Sequence, residues 1–382
     1  MSDINYYIMN QSSNKHFEIL DGLRGVAAVI VVAFHILEAF ALGKRNEQII
    51  NHGYLAVDFF FVLSGFVIGY AYDNRWDKMT LSGFFKRRII RLQPMVIIGS
   101  IVGAVTFYFQ ISPTVFPLIE NTPVTKMLLV MLIGFTMIPV GKSLDIRGWG
   151  EMYPLNGPGW TLFFEYIAYT LYALILRKLP NIILIILAVI AGALLIHFAV
   201  TNPLGVIAGG WSLDGEQLKI GSLRLAYPFL SGLLLSRFMK PKHYKHSFLV
   251  TSALMFTVLA IPSLGWKETA WINGLYEALV IIIVFPLIVY IGANGIIESP
   301  KTKKLAKFLG DISYPIYITH YPLIYIYTKW VVDEVLSGKT SYTMAAVWGV
   351  AVFGGSILMS YIFVRFYDEP VRKWLTKKFL RS

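Results

Sequence analysis

Apolar residues along this chain fall into blocks of about 18 to 25, long enough to cross a bilayer as helices. The blocks lie at roughly 19–42, 54–73, 92–111, 125–140, 158–176, 181–200, 219–236, 247–262, 272–292, 312–331 and 341–364. The polar stretches between them carry basic clusters. Arg75, Lys78, Lys86, Arg87, Arg88 and Arg91 follow the second block, and Arg177-Lys178 form a very short turn. Further clusters are Arg237, Lys240, Lys242 and Lys245, then Lys301, Lys303, Lys304 and Lys307, and a tail with Arg365, Arg372, Lys373, Lys377, Lys378 and Arg381. The positive-inside rule makes all of these cytoplasmic.

Eleven crossings would put the Arg177-Lys178 turn outside. Block 125–140, the shortest of the early ones, ends at Pro139 and runs into a Gly/Trp-rich stretch, so it reads as a re-entrant or interfacial segment. The expected fold is an all-α polytopic membrane protein of about ten crossings with both termini cytoplasmic. Residues 1–18 form a cytoplasmic segment, 19–366 one integral-membrane domain and 367–382 a basic cytoplasmic tail. Met1 to Glu18 lacks a secretory signal pattern, so the first block is expected to stay as a spanning helix.

Composition sharpens the picture. Of 382 residues 56% are apolar and only 15% charged, too few to cover a soluble surface, and the mean hydropathy is +0.61. The net charge of +12 sits in short clusters between apolar blocks, which argues against a nucleic-acid partner. There is no cysteine, which excludes a disulfide framework, a thiolate nucleophile and a cysteinyl acyl intermediate.

Ionisable groups at membrane depth are functional candidates by default. The first block holds Arg24 and, eleven positions on, His35, which a helix separates by ~16 Å. Asp58 and Glu165, on two other blocks, fall at a similar depth to His35, and a histidine beside a carboxylate is what general-base chemistry on a hydroxyl requires. Each has a plainer reading: His35 as a packing imidazole, Asp58 as the acid at a helix N-terminus. Glu165 has no basic neighbour in sequence, which makes a functional role the better account. In Arg87-Arg88-Ile89-Ile90-Arg91-Leu92-Gln93-Pro94 the spacing puts Arg87 and Arg91 on one helical face. With Arg24 they suit a phosphate site at the cytoplasmic side, for coenzyme A or for acidic lipid headgroups. Ser313-Tyr314-Pro315-Ile316-Tyr317-Ile318-Thr319-His320-Tyr321-Pro322 predicts a kinked helix with His320 near mid-membrane. Arg224 and Glu277 are expected to pair with one another or to bind a polar substrate.

The order of these motifs resembles the acyltransferase-3 family of membrane-bound acyltransferases. Asp21-Gly22-Leu23-Arg24-Gly25 followed by His35 matches its arginine, ten residues, histidine signature. The resemblance continues through Val57-Asp58-Phe59-Phe60-Phe61-Val62-Leu63-Ser64-Gly65-Phe66, the Arg87–Pro94 run, and Gly159-Trp160-Thr161-Leu162-Phe163-Phe164-Glu165. It ends with Ser313-Tyr314, His320-Tyr321-Pro322 and Asp368-Glu369-Pro370. One departure is the apolar run around Glu165, where many relatives are more polar. The resemblance implies a bacterial inner-membrane enzyme that moves an acyl group, usually acetyl, from cytoplasmic acyl-CoA to a hydroxyl. Surface polysaccharides, lipid-linked glycans and glycosylated small molecules are its acceptors, and glycan-assembly proteins and membrane lipids its expected partners. The chain is expected to be the short form, without an appended extracytoplasmic domain.

On this reading Arg24, Arg87, Arg88 and Arg91 hold the donor's phosphates. His35 is the base or a transient acyl carrier, with Glu165 or Asp58 orienting it. Trp160, Arg224, Glu277, Ser313, Tyr314 and His320 are expected to bind substrate. A thioester donor needs no metal, and no metal-ligand spacing is visible. The rival reading is a proton-coupled exporter of sugars or acylated sugars, since intramembrane His and Glu also suit proton relays.

Overall fold

The computed structural model of the chain describes residues 17–41, 48, 50–265 and 267–380. Segment 1–16 and Arg381, at the far ends of the two expected cytoplasmic segments, lie outside the described residues. The helices are α1 (Glu18–Ala41), α2 (Ala56–Tyr72), α3 (Leu81–Thr106), α4 (Val124–Gly134), α5 (Gly159–Leu174), α6 (Asn181–Thr201) and α7 (Gly215–Phe238). They continue with α8 (Ser247–Ala260), α9 (Ala270–Leu279), α10 (Phe285–Ala293), α11 (Pro300–Thr319), α12 (Tyr321–Trp330), α13 (Tyr342–Phe363) and α14 (Glu369–Phe379). Among the described residues no strand forms.

Local sequence starts several helices by side-chain capping. Thr80, Asp214 and Ser341 accept from the backbone N–H three residues on, at 3.1, 3.0 and 3.2 Å. Glu18 and Asp21 lie in the first turn of α1, where the helix dipole favours acids. Among the described residues eight helical stretches are long and apolar enough to cross a membrane, while α4 and α8 are shorter apolar helices.

Two parallel helix pairs organise the bundle. In the first, α1 lies beside α11: a Cβ on Gly25 would sit 2.2 Å from the carbonyl oxygen of Leu309, so only glycine allows the approach. In the second, α2 lies beside α7, with Gly65 against the backbone of Phe229 and Gly232 against that of Val62. The basic clusters gather at one end. There Arg237 pairs with Asp73 at 2.7 Å, Arg177 lies over the Trp76 ring, and Lys303 pairs with Glu18 at 3.1 Å.

Direction of packing decides the short helices. Because α2 and α7 are parallel, the three helices α3, α5 and α6 must account for all reversals between them, and a full crossing by α4 would invert α7. At 11 residues, ~16 Å, α4 covers about half the hydrocarbon core. It enters beside the far end of α3, where Tyr108 donates to Thr122 O, and reaches Gln93, whose amide donates to Phe135 O. The chain then returns, and Lys126 donates to Asp145 O at 3.2 Å. The segment is re-entrant, as its length and charge pattern predict. By contrast α8 runs from the basic end, where Phe248 faces Gly22, to the opposite end, where His52 N–H donates to Leu259 O at 3.0 Å. The α11–α12 pair is one path divided at His320, with Pro322 in the first turn of α12.

Candidate active site

At the end opposite the basic clusters, α1 carries His35 with Glu38 one turn later. His35 Nδ1 lies 2.8 Å from Glu38 Oε2. A carboxylate only accepts, so Nδ1 is the donor, and in the neutral ring Nε2 is the nitrogen left to accept. Because α1 and α11 run parallel, His320 arrives at the same level, and the two imidazoles stack with centroids 5.7 Å apart. His320 Nδ1 donates to Ile316 O at 2.8 Å, and its buried Nε2 has no hydrogen-bond partner among the described residues. Tyr321 meets His35 edge-on at 4.8 Å.

His35 and Glu38 open onto a cavity of about 740 Å³. Its wall also holds Tyr54, Trp149, Glu151, Trp160, Trp211, Arg224, Tyr317, Tyr321 and Tyr325. The connection between α4 and α5 supplies Trp149 and Glu151. Asp145 braces that connection by accepting from the N–H groups of Arg147, Gly148 and Gly150, each at 2.9 Å. Both Glu151 oxygens lie 2.7 Å from the Tyr325 hydroxyl, and Arg147 stands 3.7 Å away. Burial pushes the Glu151 carboxyl up to about 7, against the opposing pull of Arg147 and Tyr325. Arg147 is itself fully buried, donates twice to Pro154 O and lies 3.5 Å from the Tyr325 ring centroid.

The expected partnerships of the intramembrane charges need correction. Asp58 does not orient His35; it closes a buried ion pair with Arg224, whose Nη2 is 2.7 Å from Asp58 Oδ2. Arg224 also donates to Gly209 O and Tyr54 O, which leaves its fork engaged on several sides. Nor does Glu277 pair with Arg224. It accepts from the Tyr54 hydroxyl, Asn273 and the Ile207 N–H, with His52 3.6 Å away. The reason is rotational: Arg224 and Asp58 face each other across the α2–α7 contact, and Glu277 looks toward the 202–210 connection.

Glu165 also stands away from His35. It accepts from Ser64 at 2.8 Å and from the Tyr169 hydroxyl. Tyr314, near this group along α11, precedes His320 by six residues, ~9 Å of helix. The shared depth expected for the two side chains is therefore absent. Arg88 turns into the protein beside Glu165, donates to the Tyr72 hydroxyl at 2.5 Å and lies over the Tyr72 and Tyr169 rings. Arg87 and Arg91 are exposed. Arg91 lies within electrostatic range of Arg24, Arg88 and, from α14, Arg372. Arg24 is held by Asp21 at 3.0 Å and Arg372 by Asp368 at 2.8 Å.

Of the expected substrate residues, Trp160 and Arg224 reach the cavity wall. Ser313 donates to Gly310 O within its own helix, and Tyr314 donates to Leu92 O at 2.7 Å. Sequence reasoning missed Glu38, Glu151 and Trp149. Glu38 was within reach, because His35 and Glu38 are spaced i, i+3 on one helix face. Glu151 and Trp149 carry no periodic signal in their loop. Among the described residues no group of three His, Cys, Asp or Glu side chains could hold a metal ion.

The family described as an acyltransferase domain, acyltransferase-3, matches residues 17–365. "Protein 2 in picA locus" of Rhizobium radiobacter is 33% identical over 43% of this chain and 85% of its own length. The peptidoglycan O-acetyltransferase OatA of Listeria monocytogenes is 24% identical over 94% of this chain. An O-acetyltransferase OatA of Staphylococcus aureus is likewise 24% identical over 94% of the chain. The chain spans 56% and 58% of the lengths of these two OatA proteins. No solved structure matches it. Because the family match covers nearly the whole chain, the chain belongs to the acyltransferase-3 family of membrane acyltransferases.

Proposed function

We propose that this protein is an O-acyltransferase of the bacterial inner membrane. It takes an acyl group, acetyl in the simplest case, from cytoplasmic acyl-CoA and places it on a sugar hydroxyl of a surface polysaccharide, lipid-linked glycan or glycosylated small molecule. The observation that carries the reading is the layout of α1. Its basic end joins the Arg24, Arg91 and Arg372 cluster, its other end presents His35 to the cavity, and ~16 Å of helix separates Arg24 from His35. That distance is of the order of a pantetheine arm. Arginine forks at the basic end suit the donor's phosphates, so that end is cytoplasmic and the cavity extracytoplasmic. Ten crossings, counted as the eight long stretches with α8 and the α11–α12 path, would put both termini on the cytoplasmic side.

In the reaction His35 Nε2 takes the proton of the acceptor hydroxyl as its oxygen attacks the thioester carbonyl. The carbon–sulfur bond then breaks, and the proton passes from the imidazolium to the departing thiolate. Glu38 keeps Nδ1 protonated and stabilises the imidazolium. Glu165, Tyr169 and Arg88 form a polar cluster between the two ends. Detergent-purified protein should release CoA from acetyl-CoA only when a sugar acceptor is present. Arg91→Ala should weaken the apparent affinity for acyl-CoA by about ten-fold or more while sparing the acceptor's. Proton-coupled sugar flux in liposomes, without acceptor-dependent CoA release, would replace the enzyme by the exporter.

A further inference from the structure

The cavity wall has a character of its own, apart from His35. Trp149 is 40% exposed and lines the open cavity, and its Nε1 donates to Val115 O at 2.7 Å, which holds the ring in place. Phe116 backs it at 4.8 Å. Trp160, by comparison, is 8% exposed and serves as floor. A fixed, exposed aromatic face beside a catalytic group is a platform for the C–H face of a sugar ring, because the negative π-face attracts the weakly positive C–H hydrogens.

The ionisable wall is equally specific. Among the described residues it consists of His35, Glu38, Glu151 and Arg224. Arg224 is closed on Asp58, so its charge is already met. Glu38, paired with His35, and Glu151 both line the space, and Arg147 stands 3.7 Å from Glu151 in a fully buried position. A carboxylate has about four lone-pair sites, and the Tyr325 hydroxyl supplies one proton between the two oxygens. Capacity for sugar hydroxyls remains. Among the described residues the one arginine of the wall is already paired, so an anionic acceptor gains no open guanidinium there and meets the Glu151 carboxyl group.

We propose that the cavity binds its acceptor as an uncharged sugar ring laid against Trp149, with Glu151 accepting from its hydroxyls, and rejects sugars bearing carboxylate or phosphate. The proposal rests on the acyltransferase reading for the identity of the bound group as acceptor, but binding tests it without turnover. Equilibrium binding to His35→Ala protein in detergent is followed by isothermal titration calorimetry, with a neutral methyl hexoside, its uronate and its phosphate as probes. The neutral glycoside should bind at least about ten-fold more tightly than either anion at fixed ionic strength. Trp149→Ala should remove most of that binding. Glu151→Gln should narrow the preference over the anions, since it bares the charge of Arg147. If that variant does not fold, Trp149→Ala, at an exposed ring outside the ion pair, still decides the platform.

Equal binding of the anionic probes, or binding indifferent to Trp149→Ala, overturns the proposal. Turnover by the wild-type protein separates the two ideas. Selective neutral-sugar binding without any acyl transfer defeats the enzyme reading and keeps the site. Efficient transfer to uronates defeats the site and keeps the enzyme.

Discussion

The two parallel helix pairs begin from the same device and end in opposite chemistry. Both α1–α11 and α2–α7 use glycine to bring backbones together, and both bury ionisable groups at the contact. On the α2–α7 side the groups are satisfied by one another. Asp58 and Arg224 form a closed pair, and the remaining guanidinium hydrogens go to backbone carbonyls. On the α1–α11 side satisfaction stops halfway. His35 and His320 each anchor Nδ1, while His320 Nε2 has no partner among the described residues and His35 borders the cavity. A buried charge is thus weak evidence of function until its partners are counted. What remains available for a substrate distinguishes the reactive contact from the structural one.

Four experiments would break or sharpen this contrast, beginning with the largest effect. His35→Ala should lower turnover by about 10²–10⁴-fold with little change in thermal stability, since only the open contact is touched. Loss of folding instead of rate would make both contacts structural. On the closed side, Arg224→Leu alone should destabilise the protein by about 3–5 kcal/mol by leaving Asp58 uncompensated. The double variant Asp58→Leu/Arg224→Leu should recover most of that loss, as judged by detergent melting curves; a double variant as unstable as the single one would contradict the closed pair.

Glu151 is an intermediate case, paired yet on the cavity wall. Its carboxyl is raised from 4.5 to about 7, so the folded state binds this proton more tightly than the unfolded chain does. The stability contribution is full below about pH 4.5 and is lost as pH rises toward about 7, a change on the order of 3 kcal/mol. Glu151→Gln should flatten that part of the stability–pH curve. The same slope in both proteins would assign it to other groups.

The smallest effect concerns the dyad. Glu38→Gln should reduce turnover by about ten-fold, ~1.4 kcal/mol, with the acyl-CoA KM unchanged. Combined with His35→Ala it should add little, because the two act as one unit. Glu165→Gln, at another level of the bundle, should multiply with His35→Ala. The reverse pattern would return Glu165 to the role its sequence position suggested.

Much of this protein is written along its own chain. Hydropathy blocks mark the long helices, charge clusters mark the end they share, and the shortness of 125–140 with the Arg177-Lys178 turn marks α4 as re-entrant. Arg24 and His35 stand in a local signature, and the His35–Glu38 pair is local too, one helical turn apart. All of these depend on the order of residues within one element. Tertiary structure alone decided that Asp58 belongs to Arg224, that Glu165 belongs to Ser64 and Tyr169, and that Trp149 and Glu151 wall a cavity. Similar depth on separate helices says nothing about which way each helix is turned. That rotation is set where glycines such as Gly25 and Gly65 let neighbouring backbones meet, a property of the pair and of neither sequence segment by itself.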